Sequence, residues 1–442
     1  MKKTVSFYTL GCKVNQYETN AMEQQFIKNN YEIVENTQKA DIYIINTCTV
    51  TNMAERKSRQ MLRRVKEINP SAVLVVCGCY AQVAKNELEQ IPEIDIILGI
   101  NEKNEIVQIV ENYMEKMAEK DKRSQEAEID DVSKQKEFLD FGDVTYTEKN
   151  RAVVKVQDGC NMFCSYCIIP YARGRIRSRK IESVVSEIEK IANEDIKEVV
   201  ITGIHVASYG KDFEDGTRLI DLLEQINKIE GLKRIRLGSL EPNLITEEFV
   251  QRLGNVDKIC DHFHLSLQSG CDETLKRMNR KYTKEQYLAL VDKMKARIPG
   301  IVLSTDIIVG FPGETEDDFE DTLDVVRKAK YDSAYTFIYS KRTGTPAARM
   351  EGQVAEDVVK ERFNRLLQTV SDISHEHIKR YEGHDMDVLV EDVDDHDSDF
   401  LTGRMTNNIL VHFKGDKSLI GTVVNVHMDE CKGFYYMGTM ND

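Results

Sequence analysis

No apolar run in this sequence approaches the length of a membrane span. The start, MKKTVSFYTLGC, has two lysines, but its apolar stretch is too short for a secretory signal and Gly11 follows at once. A cytoplasmic chain without a membrane anchor is therefore expected. Positive charge is scarce: 60 Lys and Arg stand against 75 Asp and Glu, a formal net of −15. Such a balance argues against wholesale electrostatic binding of nucleic acid, so any RNA contact must come from local basic patches. There is no internal repeat at a fixed period, which argues against a solenoid or a propeller. What is present is cysteine, ten residues of it. Without a secretory signal these read as reduced thiols available for metal or redox work rather than as disulfides.

At 442 residues the chain is too long for one ordinary domain. Over 1–119, the β-rich runs VSFYTL, DIYIIN, VLVVC and IDIILG alternate with helical stretches at 17–28, 54–68 and 102–116. That alternation reads as βαβ units in a doubly wound parallel sheet. Residues 120–145, beginning KDKRSQEAEIDD, are charged and weakly periodic and read as a linker. Alternation returns over 146–375 with six strand candidates: RAVVKV, EVVITG, RIRLGS, HFHLSL, VLSTDIIVG and AYTFIYS. Six units are fewer than the eight of a closed barrel, so a partial (β/α)6 barrel is expected, followed by a long helix over 354–381. The tail, 376–442, has short β runs (MDVLVED, NILVHF, IGTVVNV, GFYYMG) that suggest a small all-β, OB-like barrel. The fold class expected is thus multidomain α/β with a small β tail.

Just after the first strand of the second region stands DGCNMFCSYCIIPYARGRIRSR, with Cys160, Cys164 and Cys167 in a C-x3-C-x2-C spacing. Three thiolates are one short of the four ligands a [4Fe–4S] cube takes, which leaves one iron open to a small molecule. A structural zinc site wants a fourth Cys or His close by, and the next histidine is the distant His205. Zinc and inert buried thiols remain the alternatives. A second constellation lies in the first region: Cys12, Cys48 and Cys79 each follow a strand candidate. In an open parallel sheet, ligands gather at the carboxyl ends of strands near the point where strand order reverses. These three can converge there, although buried cysteine is a common packing residue. Cys77 complicates the set. Gly78 is expected to end the strand, leaving Cys77 in the apolar run and Cys79 beyond its tip. Cys260, Cys271 and Cys431 read as buried thiols.

The segments GCKVNQYET, NTCTVT, CGCYAQ, DGCNMFCSYCIIPYARGRIRSR, HLSLQSGC, LKRMNRKYT and TDIIVGFPGET resemble the methylthiotransferase family of radical S-adenosylmethionine enzymes, in that family's order along essentially the whole chain. The resemblance implies an amino-terminal cluster domain, a radical domain and a TRAM domain. It also implies two [4Fe–4S] clusters, one on Cys160, Cys164 and Cys167 and an auxiliary one on Cys12, Cys48 and Cys79. S-adenosylmethionine would be both the source of a 5′-deoxyadenosyl radical and the methyl donor. An electron donor such as flavodoxin or ferredoxin and a sulfur source would be partners. Within the family, GCKVNQYET and the loop after Cys160 look most like the enzymes acting on threonylcarbamoyladenosine next to the anticodon in tRNA. Isopentenyladenosine in tRNA and an aspartate of a ribosomal protein are the runner-up substrates. A non-catalytic iron–sulfur RNA-binding protein is the rival of a different class.

Remaining site expectations are finer. Tyr166 occupies the position where the superfamily meets adenine, and Gln268 and Ser269 end the fourth strand with polar groups suited to ribose or carboxylate. Ile308 and Gly310 end the fifth, where a backbone could approach adenine closely. No side chain need act as a conventional acid or base, and His205 is read as structural or substrate-contacting. Basic residues cluster twice: Arg173, Arg175 and Arg177 with Arg151, Lys155, Arg179 and Lys180 around the single Asp158, then Lys276, Arg277 and Arg280 with Lys281 and Lys284. Both read as phosphate contacts for tRNA, or else as solvated surface charge. The tail carries four Lys and Arg against thirteen Asp and Glu over 381–442, so a TRAM barrel would need a restricted face, with Arg404, Asn407, Asn408, Lys414 and Lys417 as candidates.

Overall fold

The computed structural model describes residues 2–49, 52–120, 124–142, 144 and 150–441. Parts of two segments singled out above, Val50–Thr51 of NTCTVT and 121–123 of the charged run, lie outside them. Contacts divide the chain into two compact units. The first comprises Met1–Tyr146, Lys155–Arg179 and Arg342–Thr345; the second comprises Thr147–Val154, Lys180–Lys341 and Pro346–Asp442.

In the first unit six parallel strands are ordered Glu32–Ile33, Thr4–Thr9, Ile42–Thr47, Val73–Gly78, Ile96–Leu98 and Glu126–Glu128. The central strands Ile42–Thr47 and Val73–Gly78 are buried at every residue, as expected of a sheet covered on both faces. One face packs Val5, Phe7, Ile44, Val75 and Cys77 against Met22, Phe26 and Val110, and the other packs Tyr43, Ile45, Leu74 and Val76 against Leu62 and Val65. Strand order reverses between Thr4–Thr9 and Ile42–Thr47. Glu126–Glu128 corrects the linker reading of 120–145, since its backbone pairs with Ile96–Leu98. A charged Glu-Ala-Glu strand gives no alternation signal, and an edge position tolerates it. The helix expected over 102–116 forms as a tight turn, Asn101–Glu105, followed by Ile106–Lys120.

The second unit contains the parallel strands Glu198–Gly203 and Arg234–Leu237, in a sheet that Arg151–Asp158 continues. His262–His264, Val302–Val309 and Ser333–Ile338 form a second parallel set. Isolated bridges from Ile235 to Ile259 and from Leu240 to Leu265 link the two sets, so the six expected strands form an open partial barrel. Glu356–Ile378 follows, burying Val359, Arg362, Leu366, Val370, Ser374 and Ile378 at three- and four-residue spacing. The tail is a closed barrel ordered Asp385–Val393, Phe400–Met405, Leu410–Lys414, Tyr435–Met440 and Val423–Cys431. Its core includes Val388, Val390, Leu401, Phe413, Val426 and Tyr436, all fully buried. Arg234 anchors the barrel by donating to the carbonyls of Arg404 and Asp387, both at 2.9 Å. Among the described residues, no helix is long and apolar enough to cross a membrane.

Candidate iron–sulfur ligands and their surroundings

Cys12, Cys48 and Cys79 follow three neighbouring strand ends on one edge of the first sheet, where Thr9 is level with Asn46 and Asn46 with Cys77. Cys48 and Cys79 are buried, whereas Cys12 is exposed. Cys12 is the extended residue that opens helix Lys13–Lys28, and no side chain caps its first turn. Gly11 holds a φ of +107°, and a Cβ on it would lie 2.7 Å from Cys48 Sγ, so the turn admits only glycine without rearrangement. Cys77 lies apart, fully buried in the apolar cluster with Val5 and Phe7. Burial pushes its thiol up to about 11, which disfavours it as a thiolate. Among the described residues, no three His, Cys, Asp or Glu side chains stand as a ready-made metal shell. The thiols share an edge through the backbone.

The second cysteine set lies on a loop shaped by its main chain. Gly159 has a φ of +70°, and a Cβ there would come within 1.8 Å of the Arg175 carbonyl oxygen. The N–H of Cys160 donates to the carbonyl of Gly174 at 3.0 Å, and that of Cys167 to the carbonyl of Cys164 at 2.9 Å. Met162 N–H lies 3.4 Å from Cys160 Sγ, the kind of amide-to-sulfur contact that tunes iron–sulfur ligands. Cys160 and Cys164 are buried, while Cys167 and Tyr166 are half-buried. Arg175 lies over the Phe163 ring at 4.6 Å and is exposed.

Between the two sets runs a buried charge network that sequence reasoning missed. Glu18, on the helix that Cys12 opens, takes ion pairs from Lys103 at 2.5 Å, Lys155 at 2.6 Å and Arg173. Asp158 takes Lys155 at 2.6 Å, Arg173 at 3.2 Å and Arg177 at 3.7 Å. Arg173 also donates from Nη2 to Asn15 Oδ1 at 2.7 Å and from Nε to Cys79 Sγ at 3.2 Å. Burial alone would raise Glu18, yet Arg173, Lys103 and Lys155 hold it well below the usual carboxylate range. Burial likewise opposes ionisation of Asp158, but Lys155, Arg173 and Arg177 bring it down to about 2. The signal available was helical spacing. Asn15, Glu18, Thr19 and Met22 share one buried face of Lys13–Lys28, and a carboxylate on such a face requires a partner.

These facts correct the first basic patch. Arg173 is fully buried, Arg177 is 1 % exposed and Arg179 is 3 % exposed, so they do not face a phosphate backbone. Of that arginine run only Arg175 is exposed. In the second patch Lys276 is exposed, but Arg277 pairs with Asp318 at 3.0 Å and Arg280 with Glu241 at 2.7 Å. Glu241 was not foreseen; it is 4 % exposed and also lies 3.6 Å from His205 Nε2. Gln268 adopts a φ of +65°, and its N–H donates to the carbonyl of Asp306 at 2.7 Å. Ser269 is 1 % exposed, with its hydroxyl 3.4 Å from that of Thr322 and accepting from the N–H of Cys271 at 3.3 Å. Its polar group is used inside the fold, which corrects the ribose or carboxylate reading for that residue. Ile308 is half-buried. Gly310 has a packing reason: a Cβ on it would strike Val359 Cγ2 at 2.6 Å. In the tail, Arg404 pairs with Glu391 at 3.2 Å and Asn407 is 1 % exposed, leaving Lys414 and Lys417 as exposed cations.

Three family models match successive parts of the chain: Uncharacterized protein family UPF0004 over residues 4–99, Radical SAM superfamily over 154–326 and TRAM domain over 379–440. The chain is 40 % identical over 425 residues to a threonylcarbamoyladenosine tRNA methylthiotransferase of Bacillus subtilis, covering 96 % of this chain and 93 % of the relative. It is 42 % identical over 446 residues to a tRNA-2-methylthio-N6-dimethylallyladenosine synthase of Lachnoclostridium phytofermentans, covering 99 % and 95 %. In fold it is similar to a radical S-adenosylmethionine methyltransferase of Kitasatospora setae, with a TM-score of 0.58, 16 % identity and coverage of 79 % and 77 %. Both the order of the three matched segments and the identity along nearly the whole length place this chain in the radical S-adenosylmethionine methylthiotransferase family.

Proposed function

We propose that this protein is a tRNA methylthiotransferase that converts N6-threonylcarbamoyladenosine beside the anticodon to its 2-methylthio derivative, using two [4Fe–4S] clusters and S-adenosylmethionine. The observation that carries the reading is the occurrence, in one compact unit, of two three-cysteine sets with a buried cationic network between them. The residues suit the groups assigned to them. Each set offers three thiols and leaves one iron position open. The network holds four cations against two carboxylates, an excess of positive charge suited to an anionic thiolate cluster.

When bound, the clusters and S-adenosylmethionine supply the radical that takes hydrogen from adenine C2 and the sulfur and methyl that replace it. The chain's own residues hold and orient these groups. Cys160, Cys164 and Cys167 would hold the radical cluster, with Gly159 permitting the tight turn that presents them. Cys12, Cys48 and Cys79 would hold the auxiliary one, and burial of Cys48 and Cys79 excludes water from its inner side. Tyr166, Gln268 and Ile308 are assigned to S-adenosylmethionine. Arg175, Lys276, Lys414 and Lys417, being exposed, are assigned to phosphates of a tRNA stem-loop. An adenine whose C2 is to react must be unstacked, and an anticodon loop offers one.

Threonylcarbamoyladenosine is supported by the Bacillus subtilis relative and by the wording of GCKVNQYET and the cysteine loop. A second reading, dimethylallyladenosine, is favoured by the 42 % relative. Mass spectrometry of tRNA nucleosides from a strain lacking the gene, with and without its restoration, separates them. Loss and return of the methylthio form of threonylcarbamoyladenosine alone supports the first reading; the same behaviour of the dimethylallyl form supports the second. If neither changes, a protein substrate takes their place.

A further inference from the structure

Salt bridges inside a protein are ordinarily balanced, because an uncompensated buried charge is costly. This network is not balanced among its own side chains. Lys103, Lys155, Arg173 and Arg177 are each no more than 1 % exposed, and so are the two carboxylates that pair with them among the described residues, Glu18 and Asp158. The Nε and Nη1 of Arg177 are also buried and find no acceptor among the described residues. The excess is not spread evenly. Cys79 stands at its edge, within 3.2 Å of Arg173 Nε. Asp158 lies at the other end and accepts the N–H of Gly159 at 2.8 Å, immediately before Cys160. Glu18 and Asn15, on the helix that Cys12 opens, fix the Arg173 guanidinium from the far side, the latter at 2.7 Å.

We propose that this network is the built-in counter-charge of the auxiliary cluster, and that Arg173 is its positioning residue, donating from Nε–H to the Cys79 sulfur and raising the cluster's reduction potential. The proposal rests on the two-cluster reading given above. Hydrogen bonds to ligand sulfurs and nearby net charge are among the factors that set such potentials, both favouring the more negative, reduced state when they are positive. The planar fork of Arg173 accounts for the choice of residue, since it reaches Glu18, Asn15 and Cys79 from one group, which the point charge of a lysine does not.

The test uses the full chain carrying Cys160→Ala, Cys164→Ala and Cys167→Ala, which leaves the amino-terminal thiols as the assigned ligands. After anaerobic reconstitution with iron and sulfide, iron content, circular dichroism and the midpoint potential, followed by electron paramagnetic resonance, are measured. Arg173→Gln removes one cation and the N–H···S bond together. The expected result is a cluster at least tenfold harder to reduce, about 59 mV lower for one electron. Arg173→Lys keeps the charge and should fall by less. Glu18→Gln with Arg173→Gln restores the original charge excess without the hydrogen bond, and should recover part of the loss; it also serves if Arg173→Gln alone fails to fold. An unchanged potential in Arg173→Gln, or in the double variant where the single one does not fold, overturns the proposal. A triple-alanine parent that binds no cluster overturns the two-cluster reading itself, and with it this one.

Discussion

Two cysteines two positions apart, Cys77 and Cys79, end in different surroundings because Gly78 turns the chain between them at a φ of +96°. Cys77→Ala should keep iron content and product formation while costing about 1 kcal/mol of stability, as a small loss from an apolar core. Cys79→Ala should lose half the iron, and Cys48→Ala should stop sulfur insertion while sparing cleavage of S-adenosylmethionine. Cys164→Ala is the reciprocal case: formation of 5′-deoxyadenosine should cease, and continued cleavage would remove the radical cluster from that site. That Cys12, Cys48 and Cys79 follow neighbouring strand ends was legible in the sequence, since alternating runs and Gly78 carry that signal. The arginines were not. Residues 173, 175, 177 and 179 alternate like a solvated strand, and nothing local reveals that the partners of Arg173 are Glu18 and Asp158. Ion pairs formed across such sequence separations leave no periodicity to read.

Elements place the thiols, and two of them make further outcomes predictable. Gly11 joins Thr4–Thr9 to helix Lys13–Lys28, and Gly11→Ala would combine a strained φ with contact on Cys48 Sγ. A loss of roughly 1–3 kcal/mol and lower iron content at the amino-terminal set are expected, measured by denaturant unfolding and iron assay. The strand end that carries Asp158 gives a pH signature. Its carboxyl titrates near 2 folded and about 3.9 unfolded, so its stabilisation is complete above pH 4 and is lost as pH falls from about 4 to 2. The amount is roughly 2 kcal/mol. Thermal unfolding across that interval should show the decline, and a flat profile would remove the charged network as its source. Helices and strands with alternating or three-four periodicity were legible, the long Glu356–Ile378 above all. Glu126–Glu128 was hidden because its pairing is carried by backbone, not by side chains.

For the whole molecule, a net charge of −15 limits where RNA can be held. With Arg173 and Arg177 buried, Arg175 and Lys180 are the exposed cations of the described run that follows the cysteine loop. Arg175→Ala should weaken tRNA binding about equally across sequences and reduce the salt slope by about 1. An unchanged slope in that variant would leave Lys276, Lys414 and Lys417 to carry the contact. The order of domain types was readable from alternation and motif order, whereas the true composition of the first unit was not. That unit draws in Lys155–Arg179 and Arg342–Thr345 from much later in the chain. Its discontinuity has a consequence for synthesis. Glu18 and Lys103 leave the ribosome first and neutralise each other as a simple pair, while Lys155, Asp158, Arg173 and Arg177 arrive seconds later at ordinary elongation rates. The growing amino-terminal sheet thus waits as an electrically quiet half, and its surplus of positive charge appears only when the cysteine loop is translated.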